Sequence, residues 1–120
     1  IVNVGSIAGK QTYAKGTVYC AAKSGVEAIS KGMRLELVPE GIKISNIAPG
    51  AVETEFSNVR FKGDDDRAKK VYEGYRPLVA EDIAECIFFC VNAPDHVQIA
   101  DMIIFPSAQS DATTIHRSLE

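Results

Sequence analysis

Tyr19 and Lys23 stand four residues apart, a spacing that on a helix puts both on one face with β-carbons about 5–6 Å apart. A neutral phenol with a pKa near about 10 is a poor base at neutral pH. An ammonium held beside it favours the tyrosinate, and the pair can then serve as general acid and base toward an alcohol proton. The same pattern equally describes an ordinary pair on a helix surface. Ser6 lies thirteen residues before Tyr19 and follows an apolar run and a glycine. A hydroxyl at such a strand end can donate to a substrate oxygen and hold it beside the Tyr19 hydroxyl, or it can satisfy the amides of its own turn. It is not expected to be a hydrolase nucleophile: Val4-Gly5-Ser6-Ile7-Ala8 lacks the second glycine of a nucleophile elbow. The third piece is Pro49-Gly50-Ala51-Val52-Glu53-Thr54. Pro49 ends a strand, Gly50 allows close backbone approach, and free amides with the Thr54 hydroxyl can meet a carboxamide or phosphate. An ordinary turn is the alternative.

Further along, Arg60 sits in a charged stretch where a planar guanidinium could grip a carboxylate in bidentate fashion. Lys62, Arg67 and Lys69 are rivals, and a solvated surface is the alternative. Asp64-Asp65-Asp66 has no calcium-loop ligand pattern after it and reads as surface. Cys20, Cys86 and Cys90 form no CxxC pair, and His96 and His116 lie far apart, so no metal site is expected.

The elements that must hold these groups follow from periodicity. Ile1 to Val4 reads as a short buried strand running into the bendable Gly5-Ser6-Ile7-Ala8-Gly9. Val18, Ala22, Val26, Ile29, Met33 and Leu37 recur at three- and four-residue steps, which predicts a long amphipathic helix from Val18 to about Val38, ended by Pro39 and Gly41; with Gly25, Gly32, Ala21 and Ala28 it suits a helix-packing interface, and facing its own core is the alternative. Gly25 and Gly32 inside it cost about 1 kcal/mol each, which predicts close packing against another backbone. Ile42, Ile44 and Ile47 mark a second strand stopped by Pro49-Gly50. Residues 51 to about 77 read as a charged, irregular connection, long enough to be a functional lid. A second helix follows, with Ala80-Glu81-Asp82 in its first turn, a buried face of Ile83, Ile87 and Val91, and a stop at Pro94. Ile99 to Phe105 is a third strand, and the rest reads as a polar tail. Strands alternating with helices imply parallel pairing in an α/β sheet, whose ligands sit outside the carboxyl ends of the strands. Ser6 and Pro49-Gly50 both fall there, which points to one shared site.

Composition excludes several roles. The 120 residues are 46% hydrophobic, enough for one modest core. A net charge of -3 gives no basic excess for nucleic acid, and no apolar run approaches the roughly 20 residues that span a bilayer. An odd cysteine count without metal spacing suggests reduced thiols and a cytoplasmic location. The chain starts inside a strand, which suggests a fragment. Leu119-Glu120 reads either as a scar before a purification tag or as native residues.

Taken together, Ser6, Tyr19, Lys23 and the Pro-Gly-x-x-x-Thr turn resemble the short-chain dehydrogenase/reductase family, over essentially the whole chain. Residues 54–65, Thr-Glu-Phe-Ser-Asn-Val-Arg-Phe-Lys-Gly-Asp-Asp, look like the lid of its NADP-dependent 3-hydroxy acid dehydrogenase branch, and residues 77–83 and Ile103-Ile104-Phe105-Pro106 also resemble that branch. The resemblance implies a fold class of α/β, the carboxy-terminal half of a Rossmann-type doubly wound parallel sheet, with 1–118 as the catalytic half and a lid over about 51–77. It implies that Tyr19 is the acid/base, that Ser6 orients the substrate oxygen, and that Lys23 binds the nicotinamide ribose and tunes Tyr19. Pro49, Gly50, Val52 and Thr54 would line the nicotinamide and phosphate side. The implied cofactor is NADP, with NAD the alternative, and the substrate is a small 3-hydroxy acid of the serine, allo-threonine or 3-hydroxypropionate type, its carboxylate met by Arg60. A homotetramer is implied. The glycine-rich phosphate turn, the Asn-Asn-Ala-Gly stretch and the catalytic asparagine of the family fall outside this sequence. Two other readings remain at this point: a non-catalytic folding or association fragment, and a reductase of neutral ketones.

Overall fold

A computed structural model describes residues 1–118; Leu119-Glu120, and with it the expected tag scar, lies outside the described residues. The order is β1 (Val2–Val4), α1 (Thr17–Leu37), β2 (Ser45–Pro49), α2 (Phe56–Arg60), α3 (Asp65–Lys70), α4 (Ala80–Val91) and β3 (Asp101–Ile104), with short 3-10 turns at Ile7–Gly9 and Val38–Glu40. Among the described residues the strands form one parallel sheet in the order β1-β2-β3. Its register pairs Asn3 with Asn46 and Asn46 with Asp101.

That register divides the sheet into two unlike faces, because side chains alternate along each strand. One face carries Val2, Ile47, Met102 and Ile104, which pack with Ile83, Ile87 and Cys90 of α4 and with Val52 and Leu78. Ile47 is wholly buried, worth about 1.5–3 kcal/mol for such a side chain. The other face carries Asn3, Asn46 and Asp101, and α1 lies over it with polar side chains inward. Ser30 accepts from Asn3 Nδ2 (3.0 Å), Glu27 accepts from Asn46 Nδ2 (2.7 Å), and Arg34 donates to the Ala100 carbonyl (2.8 Å). Helices on both faces make the sheet doubly wound.

The apolar stripe of α1 is split: Val26, Met33 and Leu37 are half-buried, whereas Ala22 is exposed and Val18 and Ile29 are 84% and 60% exposed. The polar sheet face beneath α1 takes Ser30 on Asn3 and Glu27 on Asn46, and Arg34 on the Ile44 and Ala100 carbonyls. Gly25 and Gly32 have no atom within 4 Å of an added Cβ among the described residues, so no close backbone packing accounts for them. The helix ends as expected: Pro39 lies in the 3-10 turn and Gly41 takes φ +69°. The second strand starts at Ser45, later than Ile42, which is exposed. The stretch expected to be irregular contains α2 and α3. Asp64 caps α3 by accepting from the Arg67 N–H (3.1 Å), and Gly63 at φ +84° makes the bend before it. The α4 start is held by Asp82, whose carboxylate accepts from the Val79 N–H (2.8 Å). No helix is long and apolar enough to cross a membrane, and no group of three or more His, Cys, Asp or Glu side chains suits a metal ion, among the described residues.

Candidate active site

The carboxyl ends of β1 and β2 open into a cleft of about 360 Å³. Ser6 reaches it from the end of β1 in extended backbone (φ -166°, ψ 156°), immediately before the 3-10 turn. Its Oγ accepts from the Ala8 N–H at 3.1 Å, which leaves the hydroxyl proton free to donate. The oxygen thus finishes its own turn, and the turn leaves the proton available. Gly9 lets that turn sit on α1, since a Cβ there would lie 2.6 Å from the Lys23 carbonyl oxygen.

Tyr19 and Lys23 come from the first two turns of α1. The Lys23 Nζ lies 5.9 Å from the Tyr19 ring centroid and 3.4 Å from the Val4 carbonyl. The two side chains thus face the same cleft as Ser6. Pro49, Gly50, Val52 and Thr54 line the opposite wall, and Arg60 of α2 hangs over it with its Cζ 5.8 Å from the Tyr19 ring. Among the described residues Arg60 has no carboxylate partner; the ion pairs belong to Lys10. All eight residues singled out in the sequence, Ser6, Tyr19, Lys23, Pro49, Gly50, Val52, Thr54 and Arg60, line this one cleft.

The Pro-Gly turn offers fewer free amides than its sequence suggested. Gly50 N–H donates to the Ile104 carbonyl (2.7 Å), Ala51 N–H to Gln109 Oε1 (2.9 Å) and Glu53 N–H to the Leu78 carbonyl (2.7 Å). What remains are the Val52 and Thr54 N–H groups, unpartnered among the described residues, and the proton of the Thr54 hydroxyl, whose oxygen accepts from the Phe56 N–H at 3.2 Å.

Several lining residues carried no sequence signal. Tyr13 packs its ring where Gly16 leaves room, a Cβ at Gly16 falling 2.3 Å from it. Burial raises the Tyr13 phenol pKa, and the neighbouring Arg60 charge pulls it partway back. Phe56 stacks at 5.6 Å from the Tyr19 ring. Tyr72 donates to the Val52 carbonyl and meets the Ser57 hydroxyl, both at 2.9 Å. Gln109, Ala112 and Ile115 of the expected polar tail also line the cleft. The tail then returns to the segment after α3, where Arg117 donates to the carbonyls of Glu73 (2.6 Å) and Val71 (3.1 Å). Apart from the aromatic residues themselves, only the loop glycine at 16 hints at any of this.

Comparison with known proteins agrees with the cleft. The model of the family described as "short chain dehydrogenase" matches residues 1–65, more than half of the chain. An NADP-dependent 3-hydroxy acid dehydrogenase of Schizosaccharomyces pombe is 46% identical over 117 residues, covering 98% of this chain and 45% of that protein. One of the same name from Salmonella typhi is 43% identical over 120 residues, covering 98% and 48%. Among solved structures, the closed form of a serine dehydrogenase complexed with NADP+ superposes with a TM-score of 0.90 at 42% identity, covering 98% of this chain and 48% of that one. The chain spans about half the length of the curated relatives it matches. With a matching family model, two parallel crossovers and the Ser6, Tyr19 and Lys23 side chains in one cleft, the chain belongs to the short chain dehydrogenase family.

Proposed function

We propose that the full-length protein is an oxidoreductase that moves a hydride between NADP and the hydroxyl-bearing carbon of a small 3-hydroxy acid. In this reading residues 1–118 are the catalytic half of a Rossmann-type domain, with residues 51–77 as the lid. The observation that carries it is an uncompensated guanidinium, Arg60, poised over the Tyr19 ring in a cleft that also holds Ser6 and Lys23. The relatives named for NADP and 3-hydroxy acids support the same substrate class.

The residues present fit a nicotinamide cofactor. The Lys23 ammonium has one long backbone contact and can take ribose hydroxyls. The Val52 N–H and the Thr54 hydroxyl proton are free donors on the facing wall. The bound cofactor supplies the hydride chemistry, and the protein supplies placement. Ser6 donates its proton to the substrate oxygen and holds it beside the Tyr19 hydroxyl. Tyr19 takes the alcohol proton in oxidation and returns it in reduction. Arg60 pairs with the substrate carboxylate, and the Tyr13 phenol beside it is a second donor. The exposed apolar residues of α1 and α4, Val18, Ile29, Phe88 and Phe89 among them, suit association into a homotetramer. Three free thiols, two of them buried, suit a reducing compartment such as the cytoplasm.

The test is NADP-dependent oxidation of serine, allo-threonine and 3-hydroxypropionate against neutral alcohols of similar size. Tyr19→Phe is expected to lower kcat by about 10²–10⁴-fold. Arg60→Leu is expected to raise KM at least about tenfold for the acids alone, as the loss of one charge-assisted contact predicts. Equal turnover of neutral alcohols and hydroxy acids, or an unchanged KM in Arg60→Leu, would reject the acid substrate class.

A further inference from the structure

The polar face beneath α1 holds a closed ring of four side chains that no step of the reaction uses. Lys10 Nζ bonds to Glu27 Oε1 (2.6 Å) and to Asp101 Oδ2 (2.5 Å). On the other side, Asn46 Nδ2 donates to Glu27 Oε2 (2.7 Å) and to Asp101 Oδ1 (2.9 Å). Each carboxylate therefore receives one ammonium and one amide, and the ring closes. Asn46 is 1% exposed, and the Glu27 and Lys10 side chains are 11% and 19% exposed. Asp101, whose side chain is 37% exposed, and the more buried Glu27 share the one ammonium of Lys10.

The ring joins the Ser6 turn, α1, β2 and β3. Lys10 is the residue that ends the Ser6 turn. Glu27 lies one helical turn beyond Lys23 on α1, Asn46 lies three residues before Pro49 on β2, and Asp101 begins β3. The Asn46 Oδ1, buried and without a partner among the described residues, rests against Gly5, where a Cβ would come within 2.8 Å of it. The ring thus touches the residue just before Ser6. Otherwise the Ser6 turn reaches α1 by side chains through the Ser24 hydroxyl to the Gly9 carbonyl (3.1 Å), and Lys23 reaches β1 through its contact with Val4.

We propose that the Lys10–Glu27–Asn46–Asp101 ring is a positioning device that sets the Ser6 hydroxyl against Tyr19 and Lys23. It acts through the turn: Lys10 is pulled toward α1 and β3 together, and the Gly9–Lys23 approach leaves the turn no slack. A misplacement of about 1 Å at a reacting centre lowers rates by about 10²-fold. This role rests on the reading that Ser6, Tyr19 and Lys23 perform the reaction.

The experiment compares four variants of the full-length protein: Lys10→Met, Lys10→Arg, Ile83→Val and Tyr19→Phe. Lys10→Met is expected to lower kcat at least about tenfold while KM for the cofactor changes less than about twofold. Lys10→Arg, which keeps a cation for both carboxylates, is expected to restore most of that turnover. Ile83→Val, on the opposite sheet face, is the control for lost stability and is expected to lower Tm with kcat intact. Wild-type kcat in Lys10→Met overturns the ring proposal, as does a kcat loss that Ile83→Val reproduces at equal loss of Tm. Should Lys10→Met not fold, Glu27→Gln with the same readings replaces it. If Tyr19→Phe itself keeps full turnover, the underlying reading of the site fails, and the ring proposal with it.

Discussion

Gln109 shows how much the site depends on single polar contacts. Its Oε1 accepts the Ala51 N–H and its Nε2 donates to the Asp111 carbonyl, so one buried amide ties the Pro-Gly turn to the carboxy-terminal tail. Gln109→Leu keeps the bulk but leaves the Ala51 N–H without its acceptor. A buried donor left unpaired costs about 1–3 kcal/mol, so the variant's urea midpoint is expected to fall accordingly. Gly50 is the complementary case: a Cβ there would come within 3.0 Å of both Gln109 and Phe105. Gly50→Ala is therefore expected to displace Gln109 and weaken cofactor binding, read by titration of NADPH fluorescence.

At the scale of elements, the Ser6 turn and α1 meet at Gly9. Gly9→Ala would drive a methyl group into the Lys23 carbonyl, and overpacking of this kind costs about 1–3 kcal/mol. Melting temperature and turnover are both expected to drop, because the displaced turn carries Ser6. The ring beneath α1 adds a dependence on pH. Burial alone would raise the Asp101 carboxyl pKa, but the hydrogen bonds from Lys10 and Asn46 and the Lys10 charge hold it below its ordinary 3.8. Burial alone would lower the Lys10 ammonium, and the Asp101 and Glu27 partners raise it above its ordinary 10.5. A carboxyl with a depressed folded pKa contributes stability above its unfolded value and loses it as pH falls through the folded one. A raised ammonium contributes below its unfolded pKa and loses it as pH rises through the folded one. Stability is thus expected to decline below about pH 4 and above about pH 10.5. Asp101→Asn is expected to flatten the acid limb in denaturant titrations across pH.

For the whole molecule, the tail is bonded to the segment after α3, which the proposed function reads as part of a lid. Arg117 donates to three carbonyls at the end of α3 and just after it, covers the Tyr75 ring at 5.1 Å, and is followed by the Ser118 N–H bond to the Gly74 carbonyl (2.8 Å). Arg117→Ala is expected to loosen the lid and raise substrate KM several-fold, with faster hydrogen exchange confined to residues 65–77. The apolar residues exposed on α1 and α4 bear on assembly in the same way. Sedimentation of the full-length protein is expected to give a tetramer, and a monomer would reject the association reading. Intact mass about twice that of this chain would favour the working enzyme over a non-catalytic fragment, given that the relatives are about twice its length.

The sequence alone determined the order of the three strands and the two long helices, and eight of the residues that line the cleft. Those features are local: Ser6, Tyr19, Lys23 and the Pro49–Thr54 turn are fixed by spacing along single elements. Parallel strands then bring the carboxyl ends together by topology. Which face of α1 turns inward was decided only by the tertiary structure. Periodicity reports that a stripe exists, whereas burial depends on what lies across from it, and here Asn3 and Asn46 draw in Ser30 and Glu27 while Val18 and Ile29 stay outside. The same reason hid Tyr13, Gln109 and the Lys10 ring. Their partners lie up to 91 residues away in the chain, and pairings of that kind have no period to be read.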